Sequence, residues 1–198
     1  MPKNTDVRIG APDQKVTGAI KHAPLGTAIP TLASITKAAV ALNEAFTGDE
    51  YVSEDGLTLS PSMSTTEIKD WSGATVRKVL ESFDGTLSWT MISTNQGALT
   101  IAFGSDHVTA VTASTAHGAQ VQAALGAYLP EEQAWVFLMK DGDARIVIAV
   151  PDGQITEVGD ITFASNAAVG WQVTLSTYPD ENGNSIYIMT DDGVVTTA

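Results

Sequence analysis

The stretch Trp135-Val136-Phe137-Leu138-Met139-Lys140-Asp141-Gly142-Asp143-Ala144-Arg145-Ile146-Val147-Ile148-Ala149-Val150-Pro151-Asp152-Gly153-Gln154 decides the fold class. Two short apolar runs, Trp135 to Met139 and Arg145 to Val150, enclose Lys140-Asp141-Gly142-Asp143, and Pro151-Asp152-Gly153 follows. Runs of this length, bounded by Asp-Gly pairs, read as strands joined by hairpins. The reading is a three-strand meander: 135–139, 145–150 and, after a turn at Pro151-Asp152-Gly153, 154–163.

Further along, Trp171, Val173 and Leu175 sit on one side of an alternation. Ile186 and Ile188 follow across Asp180-Glu181-Asn182-Gly183-Asn184, which predicts a last hairpin. Before the meander, Leu57, Leu59, Pro61 and Met63 alternate with Thr58, Ser60, Ser62 and Ser64, a half-buried strand. Pro61 cannot donate to a ladder, so this strand lies at an edge or carries a bulge. Thr65 to Trp71 and Thr75 to Leu80 flank Ser72-Gly73-Ala74 as a hairpin. Phe83-Asp84-Gly85 reads as a turn into Thr86 to Ile92, where Leu87, Trp89 and Met91 alternate with Ser88 and Thr90.

One helix stands out. Thr94 or Asn95 can cap it, Ala98, Leu99, Ala102 and Phe103 share a face, and Gly104 stops it. Such a face must bury itself on a sheet. Thr109 to Gly126 reads as a strand plus loop. Ala33 to Phe46 places Ile35, Ala38, Ala39, Leu42 and Phe46 near helical spacing and predicts a second short helix ending before Gly48. Prolines and glycines up to Pro30 make residues 1–31 an arm, with one strand near Val16 to His22. The fold class expected is mainly β: a two-sheet sandwich or small barrel flanked by one α-helix, with residues 32–198 as a single domain.

Composition agrees. Apolar residues make up 43% and charged residues 17% of the 198, with no cysteine. Disulfides, thiolate zinc sites and cysteine nucleophiles are excluded. The start carries no apolar segment behind Lys3, and the apolar runs are too short to span a bilayer. The net charge of −13 repels phosphate, which disfavours tight nucleic-acid binding.

The sequence contains no serine-nucleophile elbow, P-loop or dinucleotide fingerprint. His22, His107 and His117 have no partner at a metal-binding spacing and read as exposed loop residues. The acidic loop at Asp180 fails as a twelve-residue calcium loop, because Ser185 stands where glycine is required. Asp141 and Asp143 read as ordinary turn residues. Trp89 and Trp171 lie on apolar sides and belong to a core, whereas Trp71 precedes a turn and reads as exposed. No enzyme, cofactor or metal is expected. One alternative is a glycan-binding or adhesive β-sandwich that stacks sugars on Trp71, Tyr128 or Tyr178.

Several stretches, in this order, resemble a known family. They are Gly48-Asp49-Glu50-Tyr51-Val52-Ser53-Glu54-Asp55-Gly56-Leu57-Thr58, Glu67-Ile68-Lys69-Asp70-Trp71-Ser72-Gly73-Ala74-Thr75-Val76-Arg77, and Ala102-Phe103-Gly104. The C-terminal series is Trp135-Val136-Phe137, Arg145-Ile146-Val147-Ile148, Val158-Gly159-Asp160-Ile161 and Trp171-Gln172-Val173-Thr174-Leu175. The order resembles the major tail protein (tail-tube) family of siphophages, from about Ala23 onward.

The resemblance implies a tail-tube subunit of the virion, made in the host cytoplasm. Six copies form a ring, and stacked rings form a tube for DNA ejection. Its partners would be further copies of itself and other tail proteins such as a tape-measure, terminator or chaperone. DNA would pass without specific binding, and no membrane is involved. The resemblance makes the segment from about Thr31 to Gly56 an assembly loop rather than a helix, with apolar residues buried only on assembly. Leu42, Phe46, Tyr51 and Val52 are then candidate inter-subunit contacts. Glu67, Asp70, Glu157 and Asp160, expected on strands, are candidate lumen carboxylates.

Overall fold

The computed structural model describes residues 7–13, 18–48 and 50–195. Strand β6 (Gln133–Asp141) turns through Gly142 and Asp143 into β7 (Ala144–Val158). Gly142 has φ +60, the left-handed backbone that a two-residue hairpin loop requires and glycine tolerates. Residues Ala134 to Phe137 are all buried, because both faces of β6 are covered. This is why that run is continuous rather than alternating.

β7 does not turn at Pro151-Asp152-Gly153; it runs through it. Gly153 is a close-approach site. A Cβ there would lie 3.1 Å from side-chain atoms of Leu175 and Val150, and 3.2 Å from the Trp135 ring. The Trp135 indole donates to the Gly153 carbonyl at 3.2 Å. Pro151 sits where β7 changes partners. Up to Ala149 it pairs with β9 (Tyr187–Asp191), and from Asp152 with β8 (Trp171–Tyr178). Proline's missing N–H is harmless at such a gap.

β8 and β9 therefore lie end to end along one side of β7 and are not a hairpin. The corner between them is folded by Asp180. Its carboxylate accepts from the backbone N–H of Asn182 and Asn184 at 2.9 and 3.0 Å, and from the Tyr187 hydroxyl at 2.6 Å.

The main sheet is antiparallel, in the order β1 (Ile20–Pro24), β6, β7, β8, β3 (Thr75–Met91), β2 (Val52–Lys69), with β9 on β7. A separate ribbon joins β4 (Val108–Val111) to β5 (Gln120–Ala123). Among the described residues the architecture is mainly β, with two sheets and one α-helix. That helix, α1 (Gln96–Phe103), starts where the Asn95 side chain accepts from the Ala98 N–H at 2.9 Å, and ends at Gly104, φ +82. It buries Ala98, Leu99, Ile101, Ala102 and Phe103 on a core that includes Leu87, Trp89, Trp135, Phe137 and Val173. At roughly 25 cal/mol per Å² of apolar surface, such burial is what holds so short a helix in place.

A second cluster lies on the opposite face of β6. It contains Ala134, Val136, Val147, Ala149 and Met189, closed by Ile35 and Phe46. The expected helix over 33–46 is not formed. A 3-10 turn, Leu32–Ser34, is followed by extended chain with an Ile35–Val40 bridge. Arg145 explains the difference. Its guanidinium, 2% exposed, takes the carbonyls of Thr36 (2.9 Å), Lys37 (3.2 Å) and Ala38 (2.8 Å), which would otherwise accept helical N–H groups. The same guanidinium pairs with Asp13. The segment is a loop, yet Ile35 and Phe46 are already buried within the single chain. Of the strand expected near Val16 to His22, Val16 and Thr17 lie outside the described residues; the strand found is Ile20–Pro24.

Candidate assembly surface

β2 and β3 form one long hairpin, paired from Val52–Met91 to Lys69–Thr75. The expected turn at Phe83-Asp84-Gly85 is strand. Gly85 is there because β8 and Ile186 press on it: a Cβ would lie 2.7 Å from Thr177 Oγ1 and Ile186 Cδ1. Thr177 donates to its carbonyl at 3.0 Å. Pro61 lies opposite Gly85 on the edge strand, as its missing donor requires.

Only the base of this hairpin meets the core. Every residue from Ser60 to Asp84 is exposed. The pairs Leu57–Trp89, Leu59–Leu87, Pro61–Gly85 and Met63–Phe83 share one face. The core-facing side therefore continues onto the projection, ending in Met63 (68% exposed) and Phe83 (40%). Beyond Ser64 the register shifts by one residue at Glu81, a bulge whose carboxylate accepts from the Ser64 and Thr66 hydroxyls. Ile68, Val76, Val79 and Leu80 are exposed past it. Exposed apolar side chains gathered on one projection make the hairpin the candidate interaction surface.

The tip is a fixed turn. Asp70 accepts from the Ala74 N–H at 2.9 Å and the Ser72 hydroxyl at 2.6 Å, and Gly73 has φ +85. The Ser72 hydroxyl, then the Ala74 amide, hold the Asp70 carboxyl below its usual pKa. Trp71, within that turn, is 104% exposed. Lys78 pairs with Glu67 at 3.0 Å, while Lys69 and Arg77 form no ion pair among the described residues.

A groove of about 610 Å³ lies beside the base of the same hairpin. Val52, Leu57, Phe137 and Met139 line it, with Glu54 and Asp55 also on its wall and the segment Ile9–Pro12 along one side. The spacing of residues gave no sign of it, because it joins segments distant in sequence.

The residues singled out from the sequence are scattered. Phe46 is buried and Leu42 half-buried in the second cluster, Val52 is half-buried against the main core, and Tyr51 is exposed. Glu67 is on β2 and Glu157 on β7, both exposed. Asp70 and Asp160 are not on strands: one is in the tip turn, the other follows β7. Glu157 sits in the register row Thr58–Ser88–Thr174. That row is about 30 Å along β2 from Glu67 at strand spacing, so the four carboxylates do not converge.

His22 is not an exposed loop residue. It lies on β1, tilted against Trp135 with ring centroids 5.3 Å apart; burial lowers its pKa, and Glu50 opposes this in part. His107 stacks on Tyr128 at 3.4 Å. Trp89, Trp135 and Trp171 are buried. Asp141 accepts from the Ile9 N–H at 3.1 Å, and Asp143 pairs with Lys37 at 2.7 Å, so the two do not act together. Among the described residues no group of three His, Cys, Asp or Glu could hold a metal, and no helix is long and apolar enough to cross a membrane.

Residues 3–198 match the family described as phage tail tube protein. The chain belongs to that family. It is a structural tail component of a bacteriophage virion. No curated protein sequence matches it. Among solved structures it is similar to a chain of "Cryo-EM structure of the anti-feeding prophage cap (AFP tube terminating cap)". There the TM-score is 0.48 at 11% identity, over 93% of this chain and 94% of that one. It is also similar to a chain of "Virion of native gene transfer agent (GTA) particle". That match has a TM-score of 0.39 at 10% identity, over 76% of this chain and 92% of the other.

Proposed function

We propose that the chain is the repeating subunit of a siphophage tail tube. Copies close into rings, six to a ring, and the rings stack around a bore through which DNA is ejected. The observation that carries this reading is the β2–β3 hairpin: every residue from Ser60 to Asp84 is exposed, and its core-facing side continues onto the projection as uncovered Pro61, Met63 and Phe83. A neighbouring copy would bury that face and complete the unpaired edge of β2. Tyr51, exposed beside the base of the hairpin, would join that contact.

The net charge of −13 suits a bore that must not hold phosphate, because each cation there would bind DNA through released counterions. Glu67 and Glu157, exposed on β2 and β7, are the strand carboxylates that could contribute. Other tail proteins would cap and template the tube, as its partners. Synthesis in the host cytoplasm fits the absence of cysteine.

The test is electron microscopy of the purified protein at rising concentration. Rings or tubes with sixfold symmetry are expected. A protein that stays a compact monomer throughout would overturn the reading. The adhesive alternative has less behind it, since among the described residues Trp71 has no aromatic neighbour with which to build a stacking platform.

A further inference from the structure

We infer that the tip of the hairpin docks in the groove at the hairpin base of a second copy. The Trp71 indole would enter the apolar floor while Lys69 and Arg77 meet Glu54 and Asp55. This rests on the tube-subunit reading above and names the contact that would propagate it.

Three observations carry it. The first is charge. Lys69, Arg77 and Lys78 cluster near one turn in a chain with only 10 Lys and Arg, and Lys69 and Arg77 are without an ion-pair partner among the described residues. The groove is walled by two adjacent carboxylates, Glu54 and Asp55. Opposite charges at tip and groove would steer and orient the encounter.

The second is shape and preorganisation. The groove, of about 610 Å³, has Val52, Leu57, Phe137 and Met139 in its lining and can admit an indole. The tip turn is held by Asp70, so presenting Trp71 costs little ordering on docking. A fully exposed Trp flanked by cations has the composition of a binding hot spot.

The third is geometry. Tip and groove stand at opposite ends of one element. From Leu57 to Lys69 the ladder spans about 40 Å at strand spacing, so a chain cannot fill its own groove. Each copy offers one tip and one groove, a heterologous contact that repeats head to tail and closes into a ring or continues as a filament.

The test uses charge reversal in the full chain. One variant carries Lys69→Glu with Arg77→Glu, the other Glu54→Lys with Asp55→Lys. All four side chains are exposed, and circular dichroism and thermal melting verify that each variant folds. Light scattering and electron microscopy then read assembly. Each variant alone should need about tenfold more protein, or greater, to polymerise. An equimolar mixture should recover wild-type assembly, because reversed tips fit reversed grooves. Trp71→Ala should weaken assembly in either background.

Wild-type tubes together with variants that assemble unaided would overturn this contact and leave the tube reading intact. So would a mixture that stays unassembled. A wild-type protein that never assembles would overturn both.

Discussion

The carboxylate of Glu50 stands over Gly97 on the first turn of α1, in the space that a β-carbon at residue 97 would occupy. Glu50 is 6% exposed, and a negative charge beside a helix N-terminus is favourable. Alanine in place of a helical glycine ordinarily gains up to about 1 kcal/mol. Here that gain should be cancelled: Gly97→Ala should change stability by less than about 1 kcal/mol, because the methyl group has to push the end of the buried Glu50 side chain aside. Urea denaturation of Gly97→Ala, Glu50→Ala and the double variant should show strong coupling; additive effects would contradict the contact.

Arg145 ties two separate parts of the chain, Asp13 and the segment Thr36 to Ala38, to β7. Removing its buried charge strands Asp13 and leaves the carbonyls of Thr36, Lys37 and Ala38 without a donor. Arg145→Met should cost about 3–5 kcal/mol, the usual penalty for breaking a buried pair from one side. Limited proteolysis should then cut first between Thr31 and Gly48. Arg145→Lys should rescue little, since a single ammonium cannot reproduce the fork.

Acid should weaken the fold through His22. Burial lowers its folded pKa below the 6.5 of a free imidazole. The unfolded chain therefore takes up a proton first as the pH falls. Stability is fully present above about pH 6.5 and is lost from there down through the folded value. The melting temperature should fall between about pH 7.5 and 5.5, and His22→Gln should flatten that slope. Asp152, whose pKa burial raises, acts in the opposite direction at lower pH, as protonation relieves its penalty.

Excising residues 62–84 and joining Pro61 to Gly85 through a two-residue turn should separate folding from assembly. Those residues are exposed and outside both core clusters. The shortened chain should keep its stability to within about 1 kcal/mol by thermal melting, yet form no rings or tubes.

Local chemistry was readable from the sequence. Asn95 and Gly104 bounded the helix, Asp141-Gly142 marked a hairpin, and Pro61 marked an edge. What misled was glycine used for contact rather than for turning. Gly85 and Gly153 have room for no side chain, because Thr177, Leu175 and Trp135 press on them, and that pressure comes from residues remote in sequence. The segment from Ala33 to Phe46 failed for a similar reason, since its helical spacing was overridden by one arginine more than 100 positions away. The hairpin's reach could not be read at all. Splitting it at Phe83-Asp84-Gly85 hid the continuity of its apolar face. The groove, built from four separate stretches, left no periodic mark.

The reach of that hairpin also divides the selective pressures on the gene. Between Ser60 and Asp84 the side chains are exposed and lie outside both core clusters, so core packing passes little judgement on them. What selection has to weigh there is the hairpin's own turn and ladder and its fit to a neighbour. Paired changes at Trp71, Lys69 or Arg77 and at Glu54 or Asp55 can drift together, leaving two related viruses with subunits that fold alike and refuse to mix.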